Sequence, residues 1–89
     1  MRLLIVEDEK KLCDTIAKTL YQAGYEVDTC YDGVEAMTII QEEAFDLIVL
    51  DLNLPGMDGM EILRRMRRTD DETKVLILSA RSQIADKVD

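Results

Sequence analysis

An α/β fold with a parallel sheet is predicted for these 89 residues by three features. Short apolar runs alternate with amphipathic helical stretches along the whole chain, the pattern of strands linked by right-handed helical crossovers. Leu3-Leu4-Ile5-Val6 and Leu47-Ile48-Val49-Leu50 are unbroken apolar runs, as strands covered by helices on both faces require. Both runs end in acids, Glu7-Asp8-Glu9 and Asp51, and ligands of such sheets bind beyond the carboxyl ends of the strands.

The elements follow in order. After the first strand, Leu12, Cys13, Ile16, Ala17 and Leu20 recur at helical spacing with Lys10, Asp14 and Lys18 among them, an amphipathic helix. Ala23-Gly24 ends it, Gly supplying a left-handed cap. Glu26–Cys30 reads as a short strand with β-branched Val27 and Thr29, and Tyr31-Asp32-Gly33 as a turn. Val34, Met37, Ile40 and Ala44 give the stripe of a second helix, and residues 46–50 the strand that ends at Asp51. Leu54-Pro55-Gly56-Met57-Asp58-Gly59 is a loop rich in breakers. A third helix follows with Ile62, Leu63 and Met66 inward; its Arg64, Arg65, Arg67 and Arg68 read as a solvated face and charge complement to the helix C-terminus, not a nucleic-acid patch. Residues 69–72 form an acidic loop, 75–78 a fourth apolar strand ending at Ser79-Ala80, and 82–89 the start of another helix with Ile84, Ala85 and Val88 on its apolar side.

The totals bound the function. The length allows one domain at most, and a complete doubly wound domain more often takes ~100–150 residues. A net charge of −8 argues against a general nucleic-acid surface and suits a partner that is cationic. No apolar run nears the roughly 18–20 residues of a membrane span, and no signal peptide is visible, so a cytoplasmic protein with no membrane partner is expected. Cys13 and Cys30 are expected to be buried free thiols. With no His and no cysteine pair at ligand spacing, zinc is not indicated.

The acids carry the chemistry. If the first and third strands are neighbours, Glu7, Asp8 and Asp51 converge at one edge of the sheet. Crowded carboxylates raise a pKa or recruit a metal. Mg²⁺ fits, since it takes oxygen ligands and commonly uses one or two carboxylates plus a phosphate. Plainer roles exist for each residue: Asp51 as a turn or cap, Glu7 or Asp8 as a cap of the first helix, Ser79 as a cap of the next one. Met57 and Met60 read as loop-rim and packing residues. A calcium loop starting at Asp51-x-Asn53 fails, because its fifth position is Pro55 and its twelfth Ile62. A phosphatase with a strand-end aspartate nucleophile normally has a second Asp two residues on, where this chain has Asn53.

Together, L-L-I-V-E-D-E at 3–9, D-L-N-L-P-G-M-D-G at 51–59 and Ser79-Ala80 after an apolar strand resemble a response-regulator receiver domain of a bacterial two-component system. More narrowly the chain is similar to receivers attached to winged-helix DNA-binding domains, with Ser79-Ala80-Arg81 and Asp86-Lys87-Val88 as weaker support. The resemblance implies a flavodoxin-like doubly wound sheet of order 2-1-3-4. It implies Asp51 as the phosphoacceptor for a sensor histidine kinase and Asp8 as a direct Mg²⁺ ligand. Glu7 would reach the metal through water and Asn53 through its backbone carbonyl. Ser79 would be the switch hydroxyl that bonds the acyl phosphate, and Ala80 the small residue that leaves room for phosphate entry.

The family also has a fifth strand ending in a lysine, a sensing aromatic on that strand, and a fifth helix. None is found in this sequence, and Lys87 falls in the presumed fourth helix. The expectation is therefore a C-terminally truncated receiver over residues 1–89 with no output domain, impaired in phosphoryl chemistry. It would be a phosphoacceptor and not an enzyme, reaching DNA and transcription only through an absent output domain. The alternative is a non-signalling fragment acting as a folding or assembly unit. With no fifth strand, the fourth becomes an unprotected apolar edge. A homodimer or higher oligomer is expected there, or through exchange of the terminal segment 82–89.

Overall fold

The computed structural model describes residues 1–69 and 71–78. In these, β1 (Arg2–Val6), α1 (Lys10–Gln22), β2 (Glu26–Cys30), α2 (Gly33–Glu42), β3 (Leu47–Asp51), α3 (Gly59–Arg68) and β4 (Lys74–Leu78) follow in strict alternation. The sheet is parallel throughout, in the order β2-β1-β3-β4. The helical reading of 82–89, the Ser79-Ala80 strand end and the expected terminal exchange lie outside the described residues.

The apolar runs alternate between two cores. Leu4, Val6, Ile48 and Leu50 face α2 and α3, packing with Met37, Ile40, Ile62 and Met66. Ile5 and Val49 face α1 and pack on Cys13. A strand with helices on both faces has no polar side, which is why these sequences run apolar without a break. Both cysteines are free and fully buried, and burial pushes each thiol up to about 11. They are inert packing residues, as the sequence indicates.

Each helix has an identifiable stop or start. Gly24, with φ at 103°, follows the end of α1, a backbone that side chains with a Cβ rarely adopt. Asp32 caps α2 by accepting from the Glu35 N–H at 2.8 Å, and Asp58 caps α3 by accepting from the Met60 N–H at 3.0 Å. The expected turn at 31–33 is thus a cap followed by the first helical residue. The α2 stripe matches expectation at Met37 and Ile40 and differs at its two ends. Gly33, Ala36, Met37 and Ile40 point inward, whereas Val34 is exposed and Ala44 lies exposed beyond the helix. Leu12 of α1 likewise faces solvent.

Arg2 ties the opposite end of the sheet together. Its guanidinium bonds Asp28 at 2.6 Å, pairs with Glu43, and sits 4.7 Å over the Phe45 ring. On α3, Glu61 accepts from Arg64, Arg65 and Arg68. Arg67 donates to the Asp71 and Thr73 carbonyls. The Arg65 and Arg64 guanidiniums hold the Glu61 carboxyl below its ordinary range. The arginine face is a solvated surface at the helix C-terminus, as expected, with one carboxylate shared among three of its guanidiniums.

On the α1 face a groove of about 410 Å³ remains, walled by Leu20, Leu47, Val49, Leu76 and Leu78. β4 is the outer strand of the described sheet, and Leu76 is 54% exposed.

Candidate functional site

β1 and β3 are hydrogen-bonded neighbours with Val6 opposite Leu50. Glu7 and Asp51 therefore emerge together at the carboxyl edge, and Asp8 starts the loop into α1. Carboxylate oxygens of Glu7, Asp8 and Asp51 all lie within 4.8 Å of one another. Glu7 and Asp51 are buried and Asp8 is exposed. One side of the cluster is thus closed by protein and the other opens to solvent.

The local bonds orient this cluster. Glu7 Oε2 accepts from the Glu9 N–H at 2.9 Å, and the Glu7 N–H donates to the Cys30 carbonyl at 3.0 Å. Glu9 is the residue at the α1 cap position, and its own side chain makes no capping bond. Neither Glu7 nor Asp8 occupies that position, so neither takes the plainer capping role. Asp51 Oδ1 accepts from the Asn53 N–H at 3.2 Å, so the expected turn-type bond exists within the cluster itself. Burial, first, and the nearby Asp8 and Asp51 carboxylates push the Glu7 carboxyl above its ordinary range, against the Glu9 N–H, which pulls it down. A buried acid beside two others is what a bound cation would relieve. The all-oxygen donor set suits Mg²⁺ and does not suit a soft metal.

The loop after Asp51 is pressed against its neighbours. The Gly59 N–H donates to the Leu52 carbonyl at 3.2 Å, and a Cβ on Gly59 would stand 2.5 Å from the Asp51 carbonyl oxygen. The Gly33 N–H donates to the Pro55 carbonyl at 3.0 Å. A Cβ on Gly33 would overlap the Met57 carbonyl, 2.8 Å from its carbon. Sequence reading places Gly33 in a turn and Gly59 in a breaker-rich loop. Their actual requirement is space, and the one available signal was a glycine directly behind an Asp cap, where most residues would serve.

The structure thus brings Glu7, Asp8 and Asp51 together, with Asn53 on the loop beside them. Ser79 lies outside the described residues. A family model described as the response regulator receiver domain matches residues 3–89. The chain belongs to the response-regulator receiver family. The transcriptional regulatory protein TctD of Salmonella typhimurium is 44% identical over 88 residues, which are 99% of this chain and 39% of that protein. The chain therefore spans about two fifths of the length of that regulator. Among solved structures, a Francisella response-regulator receiver domain superposes with a TM-score of 0.86 at 33% identity, over 89% of this chain and 65% of that one. The response regulator TrrA of Thermotoga maritima superposes at 0.83 and 33% identity, over 89% and 69%. TrrA has been solved with Mg²⁺ and BeF, and in complex with the histidine kinase ThkA. The receiver fold with order 2-1-3-4 and the transcriptional-regulator kinship are as the sequence suggests. Among the described residues no helix is long and apolar enough to cross a membrane.

Proposed function

We propose that residues 1–89 form the phosphoacceptor domain of a two-component regulator, with Asp51 accepting a phosphoryl group from a sensor histidine kinase. The observation that supports it most is the convergence of Glu7, Asp8 and Asp51 within 4.8 Å. An Asp51 carboxylate oxygen attacks phosphorus. The P–N bond of the donor phosphohistidine breaks, its electron pair stays on the imidazole nitrogen, and Asp51 is left as a mixed acyl phosphate. Asp8, Asp51 and the Asn53 carbonyl would hold Mg²⁺, and Glu7 would reach it through water. When bound, Mg²⁺ offsets the charge of the transferring phosphoryl group. The Asn53 N–H restrains the Asp51 carboxylate, and Ser79 supplies the switch hydroxyl. In this reading the protein is cytoplasmic, forms a homodimer or higher oligomer, and controls transcription through a DNA-binding output domain of the longer regulator. It is a phosphoacceptor and not an enzyme in the ordinary sense.

The kinase complex and Mg²⁺–BeF complex of TrrA favour the same partner and metal. The test is acetyl phosphate with Mg²⁺, followed by peptide mapping. The label is expected on Asp51 alone and absent from Asp51→Asn. A label on Asp58 or Glu7 would overturn the assignment. No label at all would leave the chain as an assembly unit without phosphoryl chemistry.

A further inference from the structure

Resting on the phosphoacceptor reading, we infer that Gly33, at the start of α2, is a positioning residue for the Asp51 site. None of the clustered acids lies on α2, yet α2 begins in backbone contact with the loop that follows Asp51. The Gly33 N–H donates to the Pro55 carbonyl at 3.0 Å. The missing side chain lets the Met57 carbonyl occupy the place a Cβ would need. Gly33 has no positive φ, so what its glycine provides is room. A Cβ on Gly56 would likewise lie 3.1 Å from Val34 Cγ2, so the contact extends along both segments. Within the same loop, the Asn53 N–H donates to Asp51 Oδ1 at 3.2 Å. At the far end, Gly59 sits against the Asp51 carbonyl.

These contacts form a continuous line: Gly33 fixes Pro55 and Met57, their loop fixes Asn53, and Asn53 fixes one oxygen of the Asp51 carboxylate. The line is main chain from Gly33 to the Asn53 N–H and ends on the Asp51 carboxylate, so a shift at the start of α2 moves the loop. The other two acids come from the β1 end, where Glu7 is held separately through Glu9 and Cys30. Displacing the loop thus misplaces Asp51 and the Asn53 carbonyl relative to Glu7 and Asp8, and the residues that would hold a metal no longer converge.

The experiment is a MgCl₂ titration of the 89-residue protein followed by amide chemical shifts. The Gly33 and Met57 amides are expected to move with the same midpoint as Asp8 and Asp51. Gly33→Ala is expected to keep the shifts of α1 and β2 but weaken Mg²⁺ binding by roughly tenfold or more, as when outer groups that orient metal ligands are altered. Gly24→Ala is the control: it strains a positive-φ position with nothing within 4 Å of the added Cβ, and should leave Mg²⁺ affinity unchanged. A folded Gly33→Ala that binds Mg²⁺ as the wild type does overturns the inference. So does a Gly33 amide that stays still at saturating Mg²⁺, a result that needs no variant. In both cases the Asp8 and Asp51 shifts still stand for the site. If those shifts are absent too, the phosphoacceptor reading fails together with the inference.

Discussion

Glu7 shows how one buried carboxyl sets stability against binding. Its pKa is raised by burial and by the Asp8 and Asp51 carboxylates, so the folded state holds the Glu7 proton more tightly than the unfolded chain does. Stability must then fall as pH rises from the ordinary carboxylate range through the raised value. Glu7→Gln removes that loss. In metal-free buffer it should raise the urea midpoint at neutral pH, and the gain should vanish in acid, below the ordinary carboxylate range. The same substitution should weaken Mg²⁺ binding, a trade of stability for function common at such sites. Equal urea midpoints for the two proteins at neutral pH would contradict the argument. Asp8→Ala should abolish Mg²⁺-dependent shifts of the Asp51 amide, since Asp8 is the exposed member of the cluster and the proposed direct ligand. Survival of those shifts would remove Asp8 from the ligand set.

At the scale of the element, α3 separates what packs from what is solvated. Ile62 and Met66 are buried against β1 and β3, while the arginines share one carboxylate or bond nearby carbonyls at the surface. Ile62→Ala should cost ~2–5 kcal/mol through lost contacts and a cavity. Arg64→Ala should stay within about 0.5 kcal/mol, because exposed pairs are worth little. Thermal and urea unfolding of the two variants measure the contrast directly. Four arginines so close together could have been read as a nucleic-acid patch; the place of three of them in the last turn of a helix, in a chain of net charge −8, argues for a solvated charge complement instead. The ends of the α2 stripe, Val34 and Ala44, were misjudged for a different reason. Val34 and Ala44 are apolar, and periodicity alone could not tell which phase faces the sheet. The buried side is the one that carries Gly33, which docks on the loop after β3.

For the whole molecule, the open question is what meets β4 and the groove on the α1 face. β4 pairs on one side with β3, and its other edge pairs with no described strand. Leu76 projects from it into solvent beside the apolar groove. Lys74 puts a charge only at the start of this strand, and the uncharged apolar stretch 75–78 beyond it invites pairing. Light scattering over a dilution series should give a mass above that of one chain at high micromolar concentration. Leu76→Lys, which adds charge to the edge, should return it to a monomer. A wild-type chain that is already monomeric there, with slowly exchanging amides over 75–78, would show that the edge is capped another way.

Local sequence alone determined the alternation of strands and helices, the acids at two strand ends, the buried thiols and the family. Each of these rests on periodicity or on residues adjacent in the chain, and physical chemistry acts on such neighbours whatever the rest of the molecule does. Tertiary structure decided that Val6 stands opposite Leu50, so that Glu7 and Asp51 meet, and that Glu7 is the acid that burial perturbs. It also decided that two glycines serve as contact surfaces for a loop and that Val34 faces outward. These features depend on which backbone lies within a few ångströms of which, and segments tens of residues apart in sequence leave no periodic trace of that proximity.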